Sequence, residues 1–183
     1  MLPSLLLLFI HDANAKQPRA NLRAGVSLAS VTPSPSLSQA PSLQICGELR
    51  LWSKLSVEGC GNGLGVFQNT TLSDIAHFRA KWSLWQKSAG SAVFASGIGV
   101  GFTELQRGPD KPGFLFGSAA EDQTEAAGPE LSASFSSRQQ ISKDVYMLID
   151  LSAGLSHIPG APIVMGSESP TMLFTAATVG IGF

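Results

Sequence analysis

Charge is scarce in this sequence. Only 14% of its 183 residues are Asp, Glu, Lys or Arg, against roughly 25% in ordinary soluble proteins. The net charge is −1, which gives no electrostatic basis for binding nucleic acid or an anionic membrane surface. Long apolar runs are missing too. The longest, Leu5 to Ile10, falls far short of the roughly 18 residues of a membrane-spanning helix. Cysteine is limited to two residues. With a few scattered histidines they lack ligand spacing, so no metal site is expected. No Gly-x-Ser-x-Gly elbow occurs. Serines are plentiful, but His77 and His157 are the only histidines beyond the leader, and they read as ordinary rim residues. No catalytic residue is assigned. The cluster Gly61-Asn62-Gly63-Leu64-Gly65 has no Lys-Ser/Thr pair after it, so it reads as a turn and not as a phosphate cradle. No cofactor is expected.

What remains is rich in turn formers, with 19 glycines and 11 prolines. At the N-terminus the apolar run is followed by Ala13-Asn14-Ala15, a small-x-small cleavage pattern. Residues 1–15 are therefore expected to be a secretory signal, with Lys16 the first mature residue. A mis-chosen start codon is the alternative. Residues 16–21 would form a short periplasmic segment, and 22–183 a single domain.

Period two dominates that domain. Leu22, Ala24, Val26 and Leu28 alternate with Arg23, Gly25 and Ser27. Seven more segments behave alike: Leu43 to Leu51, one from Leu55, Ile75 to Trp85, Ala92 to Thr103, Glu130 to Ser137, Val145 to Ser156, and Thr171 to Phe183. In Ile75 to Trp85, Phe78, Ala80 and Trp82 alternate with His77, Arg79 and Lys81. A helix would mix these sets on one face; a strand separates them. Short links near Ser53, at Lys87 to Gly90 and at Arg138 to Lys143 alternate with long ones. That rhythm predicts an all-β, eight-stranded, antiparallel up-and-down barrel.

The charges test the pattern. Arg23, Glu48, Arg50, Glu58, Arg79, Lys81 and Asp150 all fall opposite the apolar residues. A lipid-facing surface demands this, because Arg or Lys there costs about 2–4 kcal/mol at mid-membrane. The seven are predicted to fill the lumen. A soluble barrel with an apolar interior for a small ligand gives the same alternation inverted. The membrane version is favoured by the light charge of the polar face. It is also favoured by Trp82, Phe94, Phe135 and Phe183, which lie on apolar faces near the short-link end, as an aromatic girdle would. Gly97, Gly99 and Gly101 should lie beside Arg79 and Lys81, either making room for their side chains or relieving strand curvature. Pairing Leu49 with Val57 puts Cys46 opposite Cys60 on the lumen face, close enough for a disulfide. A β-bulge would shift that register and leave two small buried residues instead.

The chain ends Thr178-Val179-Gly180-Ile181-Gly182-Phe183. An aromatic last residue with apolar residues at alternate positions before it resembles the terminal strand of bacterial outer-membrane barrels. Phe183, Ile181 and Val179 match that pattern; Thr178 stands where a glycine is common. From Leu22 onward the chain resembles the small eight-stranded outer-membrane β-barrels of Gram-negative bacteria. The resemblance implies an outer-membrane location, lipid contact, and recognition of Val179, Ile181 and Phe183 by the barrel assembly machinery. Members of that class serve as anchors, adhesion factors or lipid-modifying enzymes, so a structural or interaction role is expected and a specific task is not.

Overall fold

A computed structural model describes residues 18–31, 41–61, 73–107, 114–117 and 120–183. The expected signal segment lies outside the described residues. Eight strands are present: β1 (Ala20–Val31), β2 (Ser42–Arg50), β3 (Leu55–Gly61), β4 (Ser73–Ala89), β5 (Ala92–Arg107), β6 (Glu125–Ser142), β7 (Val145–His157) and β8 (Thr171–Gly182). Each pairs antiparallel with the next, and β8 returns to β1, so the sheet closes. Closure satisfies every edge, which a strand in lipid requires. The seam is tied at the termini: Arg19 and Ala20 donate backbone N–H groups to the Phe183 carbonyl at 2.9 and 3.0 Å, and Phe183 donates back to Ala20 at 2.9 Å.

One end of the barrel carries the tight turns and both ends of the strand array; we call it the turn end. Here Leu51 and Trp52 both donate to the Leu55 carbonyl, and Gly90 turns β4 into β5 with a φ of 62°. That left-handed conformation costs glycine nothing. The opposite end, with the long connections, is the loop end.

Several boundaries differ from the sequence reading. β1 starts at Ala20, so Ala20 and Asn21 belong to the barrel and not to the N-terminal segment. β4 runs to Ala89, and β6 runs from Glu125 to Ser142. Lys87 and Arg138, expected in turns, are strand residues. The ladder slips between Ser83 and Trp85 and again between Gln140 and Ser142. A bulge breaks the alternation that sequence reading follows. At the start of β6, Ala126-Ala127-Gly128-Pro129 has no alternation to read. Pro129 is tolerated because there β6 pairs with β5 alone, β7 joining only from Glu130; an edge position does not need the missing N–H.

The long connections also carry structure. Between β7 and β8 lies a short helix, α1 (Ala161–Met165), with proline in its first turn and Gly166 ending it at φ 65°. Five residues are too few to show a helical period. Ala161 and Val164 of this helix pack with Ile158, Ile75, Leu105, Ala126 and Met172 in a buried apolar cluster. These residues cap the loop end of the interior. The connection from β5 to β6 turns back on the outer wall at Phe114–Gly117. Ala127 donates to the Leu115 carbonyl at 2.7 Å. The Phe114 and Phe116 rings stand 4.9 and 5.3 Å from Phe102.

Candidate functional site

The alternation fixes what faces inward. Odd positions of β1, β4 and β5 and even positions of β2, β3 and β6 to β8 point into the barrel over most of their length. Those positions bring the charges together. Arg23 is almost completely buried and pairs with Asp150 at 3.0 Å, Glu48 at 3.2 Å, and Glu58. Lys81 reaches Glu58 at 2.9 Å and both Glu48 and Asp150 at 3.5 Å. Arg79 reaches the other Glu58 oxygen at 3.4 Å. Its Nε stands 3.0 Å from Glu130, an ion pair without hydrogen-bond alignment. Glu58 is thus the hub, facing three cations. Buried this deeply the charges need one another, since an unpaired buried charge costs several kcal/mol.

Six of the seven charges assigned to the lumen from sequence meet in this network. Arg50 stands apart, half-buried at the turn end of β2, with Nη1 shielded from solvent and unbonded. Sequence reasoning missed Glu130, because it marks the start of a weakly alternating segment, and Arg138, because it was placed in a turn. It also placed His77 at a solvent rim. His77 is in fact buried inside, with Nδ1 donating to Glu130 at 2.6 Å and its ring 4.5 Å from Phe174. Thr103 donates to the same Glu130 oxygen at 2.6 Å, and Ser156 is 2.5 Å from Thr103. The parity of His77 with Arg79 and Lys81 was the available signal.

This second cluster contains the residue types of a nucleophile and a base, but not their arrangement. Ser156 bonds Thr103 and not the imidazole. Thr103 and Ser156 are fully buried beneath the apolar cap. That burial leaves a substrate no approach among the described residues, and the geometry reads as a structural network. His157, in contrast, is exposed and 3.5 Å from Thr171. Among the described residues no group of His, Cys, Asp and Glu is set to hold a metal.

The glycine stripe divides its work. Arg79 lies opposite Gly101 and Lys81 opposite Gly99. A Cβ at Gly99 would stand only 2.5 Å from the Ser132 hydroxyl, and at ordinary contact distance, 3.5 Å, from the Arg79 and Lys81 side chains. At Gly101 it would strike the Phe78 carbonyl and come 2.8 Å from the Arg79 Cα. Gly99 makes room for side chains, whereas Gly101 permits close approach of the neighbouring backbone. Cys46 lies opposite Cys60, and the two are joined in a disulfide.

The exterior is the inverse of the interior. Val100, Leu131 and Val179 are each more than half exposed on three different strands, and similar residues continue around the ring. Trp82, Phe135 and Phe183 point outward and are exposed, and Phe94 is half-buried against Phe135, ring centroids 6.3 Å apart. Trp52 and Trp85 join them at the turn end. Neither was in the sequence-derived girdle: Trp52 sits in a turn, and Trp85 has the wrong parity until the bulge after Ser83 restores it. An apolar surface this continuous greatly exceeds what soluble monomers expose. An apolar-ligand carrier would need these faces exchanged.

The fold matches a solved membrane-protein structure. The crystal structure of Neisserial surface protein A (NspA) superposes with a TM-score of 0.60 at 10% identity, covering 88% of this chain and 93% of that one. This chain has the fold of the small eight-stranded outer-membrane barrels. Ail, the attachment invasion locus protein of Yersinia pestis, also aligns, over 91% of this chain and 98% of its own, at 10% identity and a TM-score of 0.44. No protein-family profile and no curated protein matches the sequence.

Proposed function

We propose that this protein is an integral barrel of a bacterial outer membrane with a structural or interaction role, and that its lumen is a plug and not a channel. One observation carries the reading: the charges are buried and ion-paired inside while large apolar side chains cover the outside. That is the solution a bilayer imposes on a strand protein. An eight-stranded barrel has just enough interior for its own side chains. The outward Trp52, Trp82, Trp85, Phe94, Phe135 and Phe183 serve as the interfacial belt, and outer-membrane lipids are the first partner. Val179, Ile181 and Phe183, outward-facing on the closing strand, serve as the assembly signal read by the insertion machinery.

Fractionation tests the location. The protein should remain with the outer membrane through alkaline carbonate and leave it only with detergent; release by carbonate alone counts against the reading. In planar bilayers the purified barrel should give no large steady conductance, and stable open-channel steps would refute the plug. Deleting Phe183 should lower outer-membrane levels while the mature chain is still exported. Unchanged levels would remove the assembly role without touching the membrane location.

A further inference from the structure

The net charge of −1 conceals an uneven distribution. At the turn end Arg19, Lys54, Lys87 and Lys143 are exposed, and Asp144 is the one exposed carboxylate side chain among the described residues there. At the loop end the balance reverses, with Glu121, Asp122 and Glu168 exposed against Arg107. The turn end is therefore a cationic rim, and it carries the aromatic belt as well.

One sector of that rim brings the two together. The β2–β3 turn is tied to β4, where Ser83 donates its backbone N–H to the Lys54 carbonyl at 2.8 Å. Leu55, next to Lys54, pairs with Trp82. The bulge between Ser83 and Trp85 leaves Trp82, Leu84 and Trp85 all exposed. Lys87 follows two residues on, opposite Phe94 in the ladder. Trp52, two residues before Lys54, is 66% exposed. All three tryptophans of the chain thus gather in one sector with two lysines at its rim.

Each part has a counterpart in an interfacial lipid. Indole rings settle at headgroup level, the apolar body inward and the N–H toward polar atoms. A lysine at the rim lays its stem on apolar surface and extends its ammonium into the headgroup layer. There it is attracted by a lipid of net negative charge, and far less by a zwitterionic one. We propose that the sector of Trp52, Lys54, Trp82, Trp85 and Lys87 is a binding site for an acidic phospholipid, its headgroup drawn by the two lysines and its acyl chain lying along the wall beside Trp82 and Leu84. The site rests on the membrane placement proposed above and adds the class of lipid and where it binds. Neither lysine has to be unpaired within the protein: Lys54 has a contact of its own, and an exposed ion pair contributes little enough to give way to a phosphate.

The test uses the full barrel refolded into vesicles that mix phosphatidylcholine with phosphatidylglycerol, alike in both leaflets so that orientation plays no part. Bromines are carried on the acyl chains of one lipid or the other at matched mole fraction, and quenching of tryptophan fluorescence is read. Phosphatidylglycerol should associate at least about fivefold more strongly than phosphatidylcholine, the worth of one surface cation at an acidic leaflet. Lys54→Gln and Lys87→Gln should each lower that preference, and the double variant should bring it to about one. Lys87→Arg keeps the charge and should keep the preference. Lys143→Gln, across the ring between β6 and β7, should behave as the parent does. Salt at about 1 M, where the screening length falls to about 3 Å, should also bring the ratio toward one. Equal quenching by the two lipids, or a preference that survives the double substitution, would overturn the site and leave the barrel in its membrane. No quenching by either lipid would overturn the membrane reading and the site with it.

Discussion

Glu58 on β3 accepts from Lys81 on β4 at 2.9 Å while facing Arg23 from β1 across the lumen. One carboxylate thus joins three staves of the barrel. Glu58→Ala should cost about 3–5 kcal/mol, because it strands buried cations rather than merely deleting a bond. Glu58→Gln keeps an acceptor oxygen and the shape, and should cost less. Urea unfolding of the refolded barrel in micelles measures both; equal, small losses would show that the network is redundant.

Two glycines should respond in opposite directions. Gly101→Ala drives a Cβ into the Phe78 carbonyl and the Arg79 backbone, which no rotamer change relieves. We expect a loss of about 1–3 kcal/mol. At Gly47 a Cβ meets nothing within 4 Å, and alanine should gain about 0.5–1 kcal/mol by restricting the unfolded chain. The same unfolding assay decides, and the reverse order would mean that the close approach of β4 and β5 is wrong.

Val100 is 55% exposed on the outer wall of β5. If lipid covers it, Val100→Arg should destabilise the barrel in phospholipid vesicles by about 2–4 kcal/mol. On a water-exposed wall the change would stay within about 0.5 kcal/mol. Glu121→Arg, at the loop end, is the control and should be near neutral in either case.

Orientation is open to direct labelling. The native cysteines are paired, so a single introduced thiol reports alone. Asp122→Cys lies exposed in the β5–β6 connection, and Lys143→Cys lies in the turn between β6 and β7. A membrane-impermeant maleimide should label the first on intact cells and the second only after the outer membrane is opened. The opposite pattern would invert the barrel.

Most of the architecture was legible because a closed sheet forces period two on every strand, and burial of charge reinforces it. The β2–β3 register followed from matching Leu49 to Val57, and that pairing carries Cys46 to Cys60. What stayed hidden had no period to show. Bulges reset parity and concealed Trp85. Glu125–Pro129 is not paired with β7. α1 is shorter than two helical turns. Which charges would pair was illegible for another reason: Arg23 and Asp150 are far apart in sequence, and only ring closure brings them to 3.0 Å.

The apolar cap of Ile158, Val164, Leu105 and Met172 closes the loop end of the described interior. A solute entering at the turn end must go back the way it came, so exchange there is partition and never flux. The buried charges beneath the cap would then answer to salt and acidity at the turn end alone, whatever changes at the loop end.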